Sequence, residues 1–232
     1  MTSTVIEFLV KMTCKACVDD IHKSLDSVVG IKKVDINLEK GSVVIESTLS
    51  TLRLQELLES TGRPVAVKGY DGSSAGVSIL EAGDANVNGV VRFVQATPDV
   101  CIIDGTVDGL QPGKHRIAIY ECGDISRGCK SIGNIFNPDY YNVNKKVYGD
   151  IGKISAERNG RSEFRLEDNT IKLSDVLGRA FGIGPEHNNG EPIACGIIAR
   201  SAGLFQNPKT ICACDGTTIW DEVAKPNSKS NL

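Results

Sequence analysis

Hydrophobic residues change their spacing once along this chain, near residue 70, and that change limits the fold more than any other feature. Before it, strand-like and helix-like spacing alternate. Val5-Ile6-Glu7-Phe8-Leu9-Val10 predicts a strand over residues 4–10. Val18, Ile21, Leu25 and Val28 then recur at helical intervals over 15–27, and Gly30 closes that segment. Val34 to Leu38 alternates, and Lys40-Gly41 turns it into residues 42–46 as a hairpin. Residues 52–61 predict a second helix, with Ser50 or Thr51 as N-cap and Gly62 at its end, before a short strand from Val65 to Lys68. After the change, from Val77 to Ser201, helical spacing is scarce. Short β-rich runs recur instead at Val90–Gln95, Cys101–Val107, His115–Glu121, Ile151–Ala156, Ser162–Leu166 and Ala194–Arg200, punctuated by Gly and Asn. Between the two regimes, Gly69-Tyr70-Asp71-Gly72-Ser73-Ser74-Ala75-Gly76 has the composition of a flexible joint.

A multidomain chain follows. The order β-α-β-β-α-β predicts an α+β ferredoxin-like N-terminal domain, residues 1–70. A linker over 71–76 leads to an all-β sandwich or barrel over 77–201, and an irregular C-terminal tail covers 202–232. A length of 232 residues has room for two such cores. With 41% hydrophobic and 24% charged residues the composition is globular, and a net charge of −3 offers no electrostatic footprint for nucleic acid or an anionic membrane. No basic-then-apolar leader opens the sequence, and no apolar run approaches the ~18 residues of a membrane span. The expectation is a cytoplasmic protein without membrane insertion, the mitochondrial intermembrane space and the nucleus being further compartments open to it.

In such a compartment eight cysteines default to reduced thiols. Four of them form two tight pairs, Cys14/Cys17 and Cys212/Cys214, one near each end. Cys14 and Cys17 stand where a helix begins, and the unpaired N–H groups there favour a thiolate. Soft sulfur without imidazole or carboxylate suits Cu(I), and a two-ligand site on a loop lets a third thiolate take the ion away. On these residues alone a thioredoxin-like redox pair, half of a zinc site or two incidental thiols stay open. Cys212 and Cys214 cannot easily bridge each other without strain; they can bind one soft ion or offer a thiolate for exchange. Cys101 and Cys122 read as small core or surface residues, His22 as a solvated histidine, and Trp220 as packing on the barrel or on a partner.

Met12, Cys14 and Cys17, in Met-x-Cys-x-x-Cys spacing, resemble the heavy-metal-associated domain of copper chaperones and copper pumps, over residues 1 to about 70. The resemblance implies Cu(I) on Cys14 and Cys17 and a buried anchoring role for Met12. Lys15 and Arg63 are either charges that moderate the dithiolate complex or solvated loop residues.

The middle of the chain resembles Cu/Zn superoxide dismutase. Gly113 to Asp124, Gly128-Cys129, Gly133 to Pro138, Gly149 to Gly152, Gly178-Arg179 and Ala194 to Ala199 carry the likeness, which implies an eight-stranded Greek-key barrel. Where that family carries metal-binding histidines, this chain has Ala118, Tyr120, Ile135, Val147 and Gly184, and Pro192 replaces the substrate-guiding arginine. Asp150 is the vestigial metal-site position. One carboxylate cannot hold zinc against water, so zinc in the barrel is not expected and the barrel is read as catalytically inactive. Cys129 and Cys195 occupy the positions of the family's intrasubunit disulfide. Such a bond would close a loop of about sixty residues, worth roughly 4 kcal/mol on chain-entropy grounds; two reduced thiols are the alternative.

Head, barrel and Cys212-Ala213-Cys214 tail together resemble the copper chaperones for superoxide dismutase. The resemblance implies docking of the barrel on a superoxide dismutase subunit, copper delivery through Cys212 and Cys214, and promotion of the target's disulfide by the same two cysteines. A membrane copper transporter or a thiol pool would supply the metal. The barrel's isologous surface also allows a homodimer. Two readings from other classes stand beside this one: an active dismutase with a fused copper-binding head, and a thiol oxidoreductase or copper buffer without a dedicated client.

Overall fold

The computed structural model describes residues 2–72, 74–138, 147–186 and 191–206. It divides into two compact units: residues 3–71 together with the described residues from Ala202 onward, and Thr2 with residues 72–201.

The first unit runs β1 (Thr4–Val10), α1 (Lys15–Leu25), β2 (Ile31–Asn37), β3 (Ser42–Ser47), α2 (Thr51–Glu59) and β4 (Val65–Tyr70). Its antiparallel sheet has the order β2-β3-β1-β4, the ferredoxin-like arrangement. Four-residue spacing puts Cys17, Ile21 and Leu25 on the buried stripe of α1. Ile6, Phe8, Ile45, Leu54 and Leu58 complete a core with no solvent exposure. Ser50 is the N-cap of α2, its Oγ accepting from the Arg53 N–H at 3.2 Å. Helix α1 stops two residues short of the expected end: Ser27 takes a left-handed φ of 61°, and Gly30, with φ 103°, instead turns the chain into β2.

Strand β4 carries a further element that the sequence pattern does not reveal. Tyr70 pairs in parallel with Gly203; the Tyr70 N–H donates to the Ala202 carbonyl at 3.3 Å, and the Leu204 N–H donates to the Tyr70 carbonyl at 3.0 Å. Residues 202–206, expected to belong to an irregular tail, therefore form the outer edge of this unit.

The second unit consists of β5 (Ala75–Ile79), β6 (Ala82–Gly83), β7 (Asn88–Thr97), β8 (Val100–Asp108), β9 (Gly113–Tyr120), β10 (Ser126–Cys129), β11 (Asp150–Ala156), β12 (Ser162–Asp168), α3 (Leu173–Val176), β13 (Ala180–Pro185) and β14 (Ala194–Ser201). Eight strands follow the order β11-β9-β13-β14-β5-β7-β8-β12, with β6 added beside β14. The jumps from β8 to β9 and from β12 to β13 cross the sheet, as a Greek key requires. A hairpin joins the two end strands, with the Glu157 N–H donating to the Arg161 carbonyl at 2.8 Å, so the barrel is nearly closed. Phe93 and Phe181, both without exposure, meet edge to face with ring centroids 5.9 Å apart at its centre.

Three differences from the sequence reading stand out. Strand β4 ends at Tyr70 and β5 starts at Ala75, so the expected linker over 71–76 shortens to residues 71–74. Ala75 and Gly76 look like linker in composition, yet their backbones pair with Ser201 and Arg200. Strand β13, Ala180-Phe181-Gly182-Ile183-Gly184-Pro185, escaped notice because its two glycines hide the alternation; pairing with β9 and β14 on both edges holds it extended.

Truncating Phe181 to alanine removes one of the two fully buried phenyl rings that meet in the barrel core. It is expected to cost about 3–5 kcal/mol, read as an earlier barrel transition in chemical denaturation.

Candidate functional site

The loop that carries Cys14 lies between β1 and α1, and Cys17 follows in the first turn of the helix. Cys14 is the N-cap of α1, with extended backbone (φ −157°, ψ 171°), and its side chain makes no capping bond. Cys17 is the third residue of the helix, and its N–H donates to the Cys14 carbonyl at 3.1 Å. The two sulfurs stand 3.5 Å apart, close enough to share one ion without being bonded. Cys14 is exposed and Cys17 buried. The hydrophobic stripe of α1 thus pins one sulfur inside while the cap presents the other to solvent.

The Cys17 thiol is pulled down from an ordinary 9.0 to about 6. The Thr13 backbone amide contributes most, followed by the Arg63 guanidinium, the Cys14 backbone and the Thr13 hydroxyl, which lies 3.7 Å from the sulfur; burial opposes them. Arg63 is held in place from both sides. It donates to the Asp20 carboxylate at 3.0 Å and to the Thr61 carbonyl at 2.8 Å. The sequence allowed Arg63 to be a loop charge; the fold instead brings the end of α2 beside the start of α1, making it the local counter-charge of a thiolate. Lys15 is exposed. Met12 is half-buried rather than buried as the resemblance implied, and His22 is exposed. Among the described residues no group of three or more His, Cys, Asp or Glu side chains could hold a metal, so the head offers two sulfurs and no third ligand. Cys212, Cys214 and Trp220 lie outside the described residues.

In the barrel, the positions singled out as lost histidines do converge. Tyr120, Ile135, Val147 and Gly184 line one cleft of about 580 Å³ together with Pro192 and Arg116. Ala118 lies opposite both Asp150 and Gly182 in the strand register. Tyr120 and Ile135 form an isolated bridge. At the start of β11, Asp150 receives the Arg116 guanidinium, Nη2 at 2.9 Å from Oδ2 and Nε at 3.4 Å from Oδ1. A fork of two charge-assisted bonds therefore neutralises this carboxylate where the dismutase family would place zinc. That pairing has no local signature, because Arg116 is 34 residues from Asp150.

Elsewhere in the barrel, Cys129 of β10 and Cys195 of β14 have their Sγ atoms 2.07 Å apart, at disulfide distance. Cys101 is buried without exposure, its thiol pushed up to about 12 mainly by desolvation, and Cys122 is exposed; neither has a metal-binding companion among the described residues. No helix of the described residues is long and apolar enough to cross a membrane.

Known proteins fit this geometry part by part. Residues 7–64 match the heavy-metal-associated domain family, and residues 87–198 match the copper/zinc superoxide dismutase family. A mouse (Mus musculus) copper chaperone for superoxide dismutase is 44% identical over 97% of this chain and 91% of its own length. This chain belongs to the copper chaperones for superoxide dismutase. The likeness extends to a chloroplastic/cytosolic member from Arabidopsis thaliana, 32% identical over 95% of this chain and 71% of the relative. A yeast member from Debaryomyces hansenii is 31% identical over 97% of this chain and 96% of the relative.

Three outcomes test the site. In the metal-free, reduced protein Cys17 stays a thiolate between pH 6 and 9 while the unfolded chain is protonated there. Folded stability should therefore rise with pH across that window, be complete above it and vanish below it. Arg63→Ala should move the thiolate absorbance midpoint of Cys17 upward and narrow the window. Arg116→Ala leaves a part-buried carboxylate without its cation, with an expected loss of about 1–2 kcal/mol in thermal denaturation.

Proposed function

We propose that this chain takes up Cu(I) on Cys14 and Cys17, docks through its barrel on Cu/Zn superoxide dismutase, and hands the metal over by thiolate exchange. It is a metallochaperone and not an enzyme. The observation that carries this reading is the pairing, at 3.5 Å, of an exposed sulfur with one whose thiol is pulled down to about 6. A thiolate at neutral pH binds a soft ion without waiting for deprotonation, and two sulfurs alone leave the ion open to a third. Among the described residues no histidine or carboxylate joins the pair as a third ligand, which favours Cu(I) over zinc.

Transfer from the head is an exchange of ligands. As a Cys212 or Cys214 thiolate forms its bond to copper, a head thiolate leaves, and copper stays monovalent throughout. Histidines of the target then displace the tail sulfurs. The same tail would promote the target's disulfide. A tail thiol and a target thiol give up two electrons and two protons to dioxygen and form a mixed disulfide. The target's second cysteine then attacks the target sulfur, and the tail thiol leaves.

The barrel contributes recognition. It keeps the topology of the dismutase while alkyl groups, a phenol and a glycine stand at the histidine positions, and Arg116 holds Asp150 in place of a metal. We read it as zinc-free, with Cys129 and Cys195 bonded, and as able to pair with a dismutase subunit or with a second copy of itself. The copper donor is a membrane transporter or a thiol pool, and the compartment is the cytoplasm. Functionally the chain divides into a head over 1–70, a barrel over 77–201 and a delivery tail over 202–232.

Mixing the Cu(I)-loaded chain with copper-free, disulfide-reduced superoxide dismutase should give a complex, metal transfer and target activity together. Cys212→Ser with Cys214→Ser should keep the complex and abolish activation. Full activation by that double variant would refute the delivery role.

A further inference from the structure

The least expected charge in the molecule is Glu7. It sits in the middle of β1, is 1% exposed, and points into the side of the sheet covered by residues 202–206. A buried carboxylate is costly unless each oxygen is satisfied. Here Oε1 accepts from Lys68 Nζ and from Ser42 Oγ, each at 3.0 Å. Oε2 accepts the backbone N–H of Phe205 at 2.8 Å. Two of those partners come from neighbouring strands of the same sheet, as strand pairing would place them. The third comes from 198 residues away, at the root of the C-terminal tail.

Other details of that contact agree. Phe205 has a left-handed φ of 59° and a side chain 67% exposed, so neither backbone preference nor hydrophobic burial places it there. Its N–H faces the carboxylate nonetheless. Gly203 lies so close to β4 that a Cβ on Gly69 would meet the Gly203 carbonyl before anything else. The Gly203 N–H is in turn held by Gln206 Oε1 at 3.2 Å. The segment is thus seated by main-chain bonds to Tyr70 and by one charge-assisted bond to Glu7.

We propose that Glu7 is a positioning residue for copper transfer: it roots the C-terminal tail on the copper-binding domain, so that the segment leading to Cys212 and Cys214 starts from the unit that carries Cys14 and Cys17. This rests on the delivery role proposed above for the tail cysteines. Cys212 follows Phe205 by seven residues, an extended reach of at most ~25 Å. Cys14 follows Glu7 by seven residues as well and lies within the same bound. The tail sulfurs can therefore reach as far from the shared anchor as the head sulfurs can lie. A tail rooted only at the end of β14 would meet the head at a concentration set by the joint between the units. Rooting it on the head removes that dependence and raises the effective concentration for exchange.

Two variants attack the anchor from opposite sides. Glu7→Gln keeps size and shape but has one oxygen; with that oxygen on Lys68 and Ser42, its NH₂ faces the Phe205 N–H, donor against donor. Gly69→Ala wedges a methyl group against the Gly203 carbonyl and keeps Glu7, Lys68 and Ser42 themselves unchanged. In the full-length chain, amide hydrogen exchange at Leu204 and Phe205 should accelerate at least tenfold in both variants. Cu(I) affinity of the head, measured against a competing chelator, should be unchanged. Copper transfer to reduced, copper-free superoxide dismutase should slow about three- to tenfold, in line with a lost tether. Wild-type transfer rates despite unprotected amides, or amides that stay protected in both variants, would overturn the anchor. The Cys212→Ser, Cys214→Ser variant separates this outcome from the other. If it still delivers copper, the tail's delivery role falls; if it is dead while both anchor variants deliver normally, only the role of Glu7 falls.

Discussion

One thiolate held at the start of a helix is what the rest of this structure serves. Cys17 belongs to the buried stripe of α1, so the same four-residue spacing that packs Ile21 and Leu25 fixes its sulfur. The Thr13 backbone amide does most to keep the sulfur ionised near neutrality; Arg63, arriving from beyond α2, adds a positive charge, and Asp20 keeps Arg63 from swinging away. Cys14 needs none of this support. It stands exposed at the cap, where an incoming ligand can reach it. Rigidity on one sulfur and access on the other suit a site that must hold a soft ion and also release it.

The barrel shows the opposite treatment of a metal site. The dismutase family's ligand positions still converge on one cleft, yet alkyl groups, a phenol and a glycine stand there in place of its histidines. Asp150 would be an uncompensated charge there, and the Arg116 fork resolves that by converting a metal ligand into half of an ion pair. The scaffold keeps the shape of a dismutase without its chemistry, which is what recognition by likeness needs. A disulfide-distance cysteine pair joins β10 to β14, as the resemblance led one to expect.

Buried charges are the features that sequence reading handled least well. Glu7 looked like a lone charge in an apolar strand, Arg63 like a loop residue, and Arg116 like any cation in an alternating run. Each takes its meaning from a partner distant in the chain: Phe205, Cys17 and Asp150. Buried carboxylates and their counter-ions tolerate few arrangements, so once the strands pair, these contacts carry much positional information. None of it has a local signature.

The amino-acid order alone determined the two fold classes, the order of the elements in the head and the start of most of them, the sulfur pairs, and the loss of the dismutase histidines. These depend on local periodicity, on capping and turn residues, and on which atoms can bind a metal, all of which are properties of short stretches. Tertiary structure decided the rest. It made Ala75 and Gly76 a strand rather than a linker, since backbone pairing does not depend on side-chain composition. It kept the glycine-broken β13 extended between two neighbours. And it seated the root of the tail beside β4, where backbone bonds to Tyr70 and a third donor to a carboxylate already held by Lys68 and Ser42 come from residues with no local tie to β1.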